Sequence, residues 1–147
     1  MDVVVDRCAG LDVHQATVVA CVVLAQAGHR PKRQTQTFAT VRRGLEELRD
    51  WLSSQGVTHV AMEGTGVYWM PVYAMLEGRF DIAVVNARHV KKLPGRKTDV
   101  SDASWLAQLL QHGLLRKSFV PAAAIRAIRD VSRYRRMLVQ SETAEKN

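Results

Sequence analysis

The chain has 147 residues, 47% of them hydrophobic, enough for one domain whose core buries roughly 68–70% of the unfolded surface. No apolar run approaches the ~20 residues that span a bilayer, and Met1-Asp2 lacks the basic start of a signal peptide, so a cytoplasmic protein with no membrane partner is expected. Twenty-one Lys and Arg against fourteen Asp and Glu leave a net charge of +7, which favours a polyanionic partner.

The first forty residues read as three strands, Val3 to Asp12, Ala16 to Leu24 and Arg33 to Phe38. Turns fall at Asp12-Val13-His14-Gln15 and Ala27-Gly28-His29. Connections this short require antiparallel pairing, because parallel strands need a crossover of about a dozen residues. The period then changes. Val41, Leu45, Leu48, Trp51 and Leu52 recur at helical spacing, with Thr40 as N-cap and Gly56 as stop. Val57 to Met62 reads as a strand covered on both faces, Val67 to Glu77 as a helix presenting Trp69, Tyr73 and Leu76, and Phe80 to Val85 as another apolar strand.

Arg88 to Lys97 reads as a short helix or loop broken at Pro94-Gly95, and Asp99 to His112 as a helix ended by Gly113. A last helix is expected from Pro121 to about Glu145, with Ile125, Ile128, Val131, Tyr134 and Leu138 on one face. That stripe suits packing on the domain or a coiled coil with a second copy. The expected division is a domain over 1–117 and a helical extension over 118–147. Three hairpin strands followed by βα units specify an α/β mixed sheet with helices on its faces, the order of the ribonuclease H-like fold.

Charge is distributed unevenly along this order. From Ile82 to Thr98 there is no acidic residue, while Arg88, His89, Lys91, Lys92, Arg96 and Lys97 stand together. A second basic cluster comprises Arg126, Arg129, Arg133, Arg135 and Arg136. Arg88, Lys91, Lys92, Arg96 and Lys97 are the candidate nucleic-acid contacts, of the kind that position a phosphate backbone without reading sequence. A solvated basic loop is the plainer explanation for any one of them.

Four acids adjoin or face the first cluster. Asp12 ends an apolar strand after Gly10-Leu11, where an ionised, unpaired carboxylate costs several kcal/mol to bury. Glu63 follows a strand and precedes Gly64-Thr65-Gly66, and ligands of open sheets collect beyond the carboxyl ends of strands. Asp99 and Asp102 stand three apart at a helix start and so share a face, although Asp99 also suits an N-cap and Asp102 the helix dipole. Together the four suit Mg2+ or Mn2+, which takes oxygen ligands, and two such ions ~3.5–4 Å apart serve phosphoryl transfer. Cys8 and Cys21 lack metal-like spacing and read as buried thiols, and the five His are scattered with no HExxH, which argues against zinc. His14, close to Asp12, is either a turn residue or one that orders a metal-bound water. Tyr68 and Trp69 fit core packing better than base stacking.

The runs Gly10-Leu11-Asp12-Val13-His14, Met62-Glu63-Gly64-Thr65-Gly66-Val67-Tyr68-Trp69, Val85-Asn86-Ala87-Arg88 and Arg96-Lys97-Thr98-Asp99-Val100-Ser101-Asp102-Ala103 resemble the DEDD transposases of bacterial insertion sequences, the group that includes the Piv and MooV invertases. The likeness covers essentially the whole chain. It implies a RuvC-like catalytic domain cutting and joining DNA, with Asp12, Glu63, Asp99 and Asp102 as catalytic metal ligands. It also implies a nucleoid-associated location, and for some members a structured guide RNA as a further partner. Members of the family resemble a two-part machine whose second domain bears a serine, so this chain corresponds to its metal-binding half. Nothing near Ser132 or Ser141 would activate either as that nucleophile. Three other readings share some of these features: a non-catalytic nucleic-acid-binding and dimerisation module, a RuvC-like junction resolvase, and an actin-like phosphotransferase, for which the chain is short.

Overall fold

The computed structural model describes residues 2–118 and 120. The expected last helix, the second arginine cluster, Ser132 and Ser141 lie outside the described residues. Five strands form one sheet: β1 (Arg7–Val13), β2 (Thr17–Gln26), β3 (His29–Ala39), β4 (His59–Glu63) and β5 (Asp81–Val85). Four helices accompany them: α1 (Arg42–Ser54), α2 (Trp69–Leu76), α3 (Ala87–Lys92) and α4 (Asp102–Gln111). The strand order is β3-β2-β1-β4-β5, with β1, β2 and β3 antiparallel and β1, β4 and β5 parallel. This is the mixed α/β sheet, in ribonuclease H-like order, that the run of strands and helices predicts.

Side chains alternate across a strand, so each strand feeds both faces. Ala9, Leu11, Val60, Met62 and Val84 meet Leu45, Leu48, Leu52, Val72 and Leu76 of α1 and α2 on one face. Cys8, Cys21, Ala61, Ala83 and Val85 meet Val90 of α3 and Ala103, Leu106, Ala107 and Leu110 of α4 on the other. The central strands are apolar throughout because both faces are covered. By contrast β3 is an edge strand, buried only at Phe38. Pro31, Lys32 and Arg33 on it discourage pairing with a further strand, and Pro31 lies near the register shift opposite Leu24/Gln26.

Several element ends differ from the sequence expectation. Strand β1 begins at Arg7, because the backbone N–H groups of Val4 and Val5 donate instead to the carbonyl of Gln111. Strand β3 starts four residues early, directly after the Ala27-Gly28 turn. Thr40 does not cap α1. Its hydroxyl donates to the Gln15 carbonyl (2.5 Å), and the exposed Val41 occupies the N-cap position. Gly56 and Gly113 do end α1 and α4 as expected. Both have positive φ, and the bonds Val57 N to Leu52 O and Leu114 N to Leu109 O close a Schellman motif after each helix. Helix α4 starts at Asp102, not Asp99, because Ser101 takes the N-cap and its Oγ accepts from the Ser104 N–H.

Candidate metal centre

Strand register sets the first two acids. Gly10 pairs with Ala61 and Leu11 with Met62, so Asp12 and Glu63 come next, in step, at the carboxyl ends of adjacent parallel strands. The strand runs one residue further than the expected Met62, so Glu63 is the last residue of β4 and the alternation rule applies to it. Asp12 shares its face with Cys8 and Gly10, and Glu63 shares its face with Ala61. That is the α4 face, and neighbouring strands run about 4.8 Å apart.

Helix α4 reaches this corner because Gly10 has no side chain. A Cβ there would stand 2.1 Å from the Ala103 carbonyl oxygen and 2.5 Å from the Ala107 nitrogen. Ala103 and Ala107, one turn apart, form the small-residue seam that seats the helix on β1, and the Cys8 thiol donates to the Ala107 carbonyl at 3.4 Å. The first residue of α4, Asp102, thereby projects over the ends of β1 and β4. Asp12, Glu63 and Asp102 line one small cavity, about 50 Å³, with Leu11, Val13, Thr65, Trp69 and Leu106.

The electrostatics agree with this geometry. The Glu63 carboxyl is pushed above its ordinary value, first by burial and then by the charges of Asp102 and Asp12, while Lys91 and Arg96 act in the opposite direction. Asp12 accepts from or pairs with His14 Nε2 at 3.0 Å. Asp102 Oδ1 accepts from Arg96 Nη2 at 2.7 Å, and Arg96 also donates to the Val100 carbonyl, which folds the 96–102 loop against the helix start. Among the described residues no group of three or more His, Cys, Asp and Glu side chains stands close enough to hold a metal ion as it is. His14 holds Asp12, Arg96 holds Asp102, and burial raises Glu63. The donor set nonetheless fits a hard divalent cation: carboxylate oxygens around one cavity, with no thiolate or imidazole pair competing.

The fourth acid is placed differently. Asp99 lies exposed in a turn ahead of α4 and does not line the cavity, so the Asp99-Asp102 pair does not share a helical face. The five basic candidates are all exposed, and they divide. Lys91 and Arg96 act on Glu63, Arg88 and Lys92 line a separate cleft, and Lys97 is in the loop before Asp99. Thr65 and Trp69 are part of the cavity wall. Trp69 is half-buried, with its indole N–H donating to the Gly66 carbonyl and its ring edge-on to Tyr73, so it is both core and wall. Arg116, Lys117 and Ser118, absent from the sequence reading, join the second cleft because Val85 pairs with Lys117 and the Ser118 N–H donates to the Val84 carbonyl. No local run signals them.

A family model described as Transposase, that of the IS110-type DEDD proteins, matches residues 9–147. No curated protein matches the sequence. Among solved structures, the RuvC of Thermus thermophilus is similar at 13% identity and a TM-score of 0.49, over 76% of this chain and 99% of that one. An exopolyphosphatase from Cytophaga hutchinsonii is similar at 16% identity and a TM-score of 0.40, over 58% of this chain and 36% of that one.

Proposed function

We propose, from the fact that this chain belongs to the IS110-type DEDD transposase family, that its carboxylate corner is the metal-dependent centre that cleaves and transfers DNA strands. The observation that carries this reading is the cavity shared by Asp12, Glu63 and Asp102, in which burial and then the charges of Asp102 and Asp12 push the Glu63 carboxyl above its ordinary value. Acids gathered this closely cost stability unless a cation joins them, a common signature of a working site. Asp12 and Glu63, on strand ends, are the rigid ligands. Asp102 is the ligand carried by the helix, and Asp99 is the fourth, supported by the family motif and by its place three residues ahead of Asp102. A divalent cation bound there, Mg2+ or Mn2+, supplies the charge that stabilises attacking and leaving oxygens in phosphoryl transfer. Arg96 then has a definite part. Its guanidinium holds the Asp102 carboxylate, and it would be placed to take a phosphate oxygen if that carboxylate held a cation. His14 orients the Asp12 carboxylate.

On the same reading residues 1–117 are the catalytic domain, and 118–147 a helical extension that joins two copies. DNA is the substrate, a structured guide RNA is a second partner, and the nucleoid of the cytoplasm is the place of action. Among the described residues no helix is long and apolar enough to cross a membrane.

Calorimetric titration with Mn2+ and Mg2+ tests the centre. Asp12→Asn, Glu63→Gln and Asp102→Asn should each weaken binding at least tenfold, with Asp99→Asn losing less. Equal affinity in the wild type and all four variants, with DNA binding that ignores divalent cations, would leave only a nucleic-acid-binding module.

A further inference from the structure

The carboxylate cavity is not isolated. It shares Thr65 and Trp69 with a neighbouring cleft of about 400 Å³. That cleft in turn shares Asn86, Arg88 and Ser118 with a third, of about 370 Å³. The three adjoin in series through these shared wall residues, beyond the carboxyl ends of β1, β4 and β5, and together outline a path. Its chemistry changes in order along its length. The first part is lined by acids. The middle has an apolar wall, Val84, Val85, Ala87 and Val120, beside the Trp69 ring. The far end is lined by Arg88, His89, Lys92, Arg116 and Lys117 with no acid.

Of these cations, Lys117 is occupied by Asp81. Arg88, Lys92 and Arg116 have no ion pair with any of the described residues, and they approach from two separate stretches of chain, α3 and the 116–118 segment. Three unneutralised cations converging on one cleft from two elements repel one another, an arrangement that a polyanion relieves. Acid, apolar wall and cation in sequence also match the parts of a nucleic-acid strand: a phosphate at the metal ligands, a base or sugar against the aromatic wall, further phosphates at the cations.

We propose that this path seats the DNA strand leading away from the reacting phosphate, with its backbone held by Arg88, Lys92 and Arg116 and its first base against Trp69. The proposal rests on the catalytic reading of the carboxylate corner for its direction, but its binding half can be measured separately. Ca2+ replaces Mg2+ in the assay so that strands are not cut. The full chain is titrated into a fluorescein-labelled 20-nucleotide single-stranded oligothymidylate across a salt series. The probe variant is the triple Arg88→Ala, Lys92→Ala, Arg116→Ala. The control, Lys32→Ala, Arg42→Ala, Arg43→Ala, removes equal charge from the far edge of the sheet and α1.

The probe variant should lose at least tenfold in affinity, and its salt slope should fall by about two, from ~0.7 per phosphate contact on a single strand. The control should change less than threefold. Trp69→Phe should weaken binding by about threefold or more without altering the salt slope, which separates stacking from charge. Equal losses in the two triple variants would overturn the proposal, since binding would then follow net charge alone. Preferential binding of duplex DNA or of an RNA of the same sequence, lost in the same probe variant, would overturn the assignment to a DNA strand. Mn2+ titration of the probe variant distinguishes the two readings. Unchanged metal affinity together with lost DNA affinity supports the path. Wild-type protein that binds DNA through these cations but no divalent ion would refute the catalytic centre and leave the path standing as a binding groove.

Discussion

Glu63 shows how a single side chain reports its surroundings. Burial, and then the charges of Asp102 and Asp12, raise its carboxyl above the ordinary value of 4.5, so folding makes its ionised form harder to reach than it is in the unfolded chain. The resulting stability is fully present below about pH 4.5 and is lost as the pH rises through the folded value. Glu63→Gln should therefore raise the melting temperature by a few degrees at pH 7 in EDTA, with the gain disappearing near pH 4. A gain of equal size at both pH values would show that packing, not charge, is responsible. On the proposed metal-binding reading the same substitution should weaken metal binding at least tenfold, so stability and function would move in opposite directions. Cys8 is the opposite case, a titratable group with no task. Burial, and then the charge of Cys21, push its thiol up to about 12. Both cysteines are buried and free. Native protein should show no reaction with Ellman's reagent at pH 8, and both thiols should appear only on denaturation.

Between elements, the decisive contact is that of α4 with β1. Gly10→Ala places a methyl against backbone, which cannot yield as a side-chain tip can. Overpacking of this kind costs roughly 1–3 kcal/mol, and relief requires α4 to lift, carrying Asp102 with it. Leu109→Ala, in the same buried cluster, should cost about 2–5 kcal/mol through its cavity yet leave the seam intact. Urea melts combined with Mn2+ titration would separate them: Gly10→Ala should lose metal affinity out of proportion to its stability, and Leu109→Ala should keep it. Full metal affinity in Gly10→Ala would refute the seam's role in positioning Asp102. On the opposite face α1 shows what propensity and pattern achieve alone. Its inward stripe from Leu45 onward and its Schellman stop follow the spacing, although Val41 is exposed at the N-cap, and the exposed pairs Arg42–Glu46 and Arg43–Glu47 add only about 0.3–0.5 kcal/mol each.

Over the whole molecule, the net charge of +7 coexists with a local excess of negative charge at one corner. Divalent cations should therefore stabilise the chain beyond the effect of ionic strength. At a hundred times the dissociation constant the gain is about 2.7 kcal/mol, visible as a rise of several degrees in melting temperature with Mn2+ and absent with NaCl of matched ionic strength. Identical melting curves in the two salts would count against the centre.

The sheet was legible in the sequence because hairpin lengths dictate antiparallel pairing and apolar runs mark doubly covered strands. The placement of Asp12 and Glu63 was legible for a related reason: one is the penultimate residue of β1 and the other the last of β4, and alternation puts both on one sheet face. The Asp99-Asp102 spacing was less informative. A D-x-x-D run shares a helical face only if the helix has already begun, and Ser101 takes the capping position through its hydrogen bond from the Ser104 N–H, which leaves Asp99 in the turn ahead of the helix. Family membership and the strand order thus belong to the sequence, since they depend on local period and on residue type. The tertiary structure decided the rest. The approach of α4 at Gly10, the division of the basic residues between the acid corner and the second cleft, and the arrival of Arg116 beside Arg88 all depend on contacts between distant residues. No local pattern encodes such contacts, because their energy is realised only when the sheet has brought the partners together.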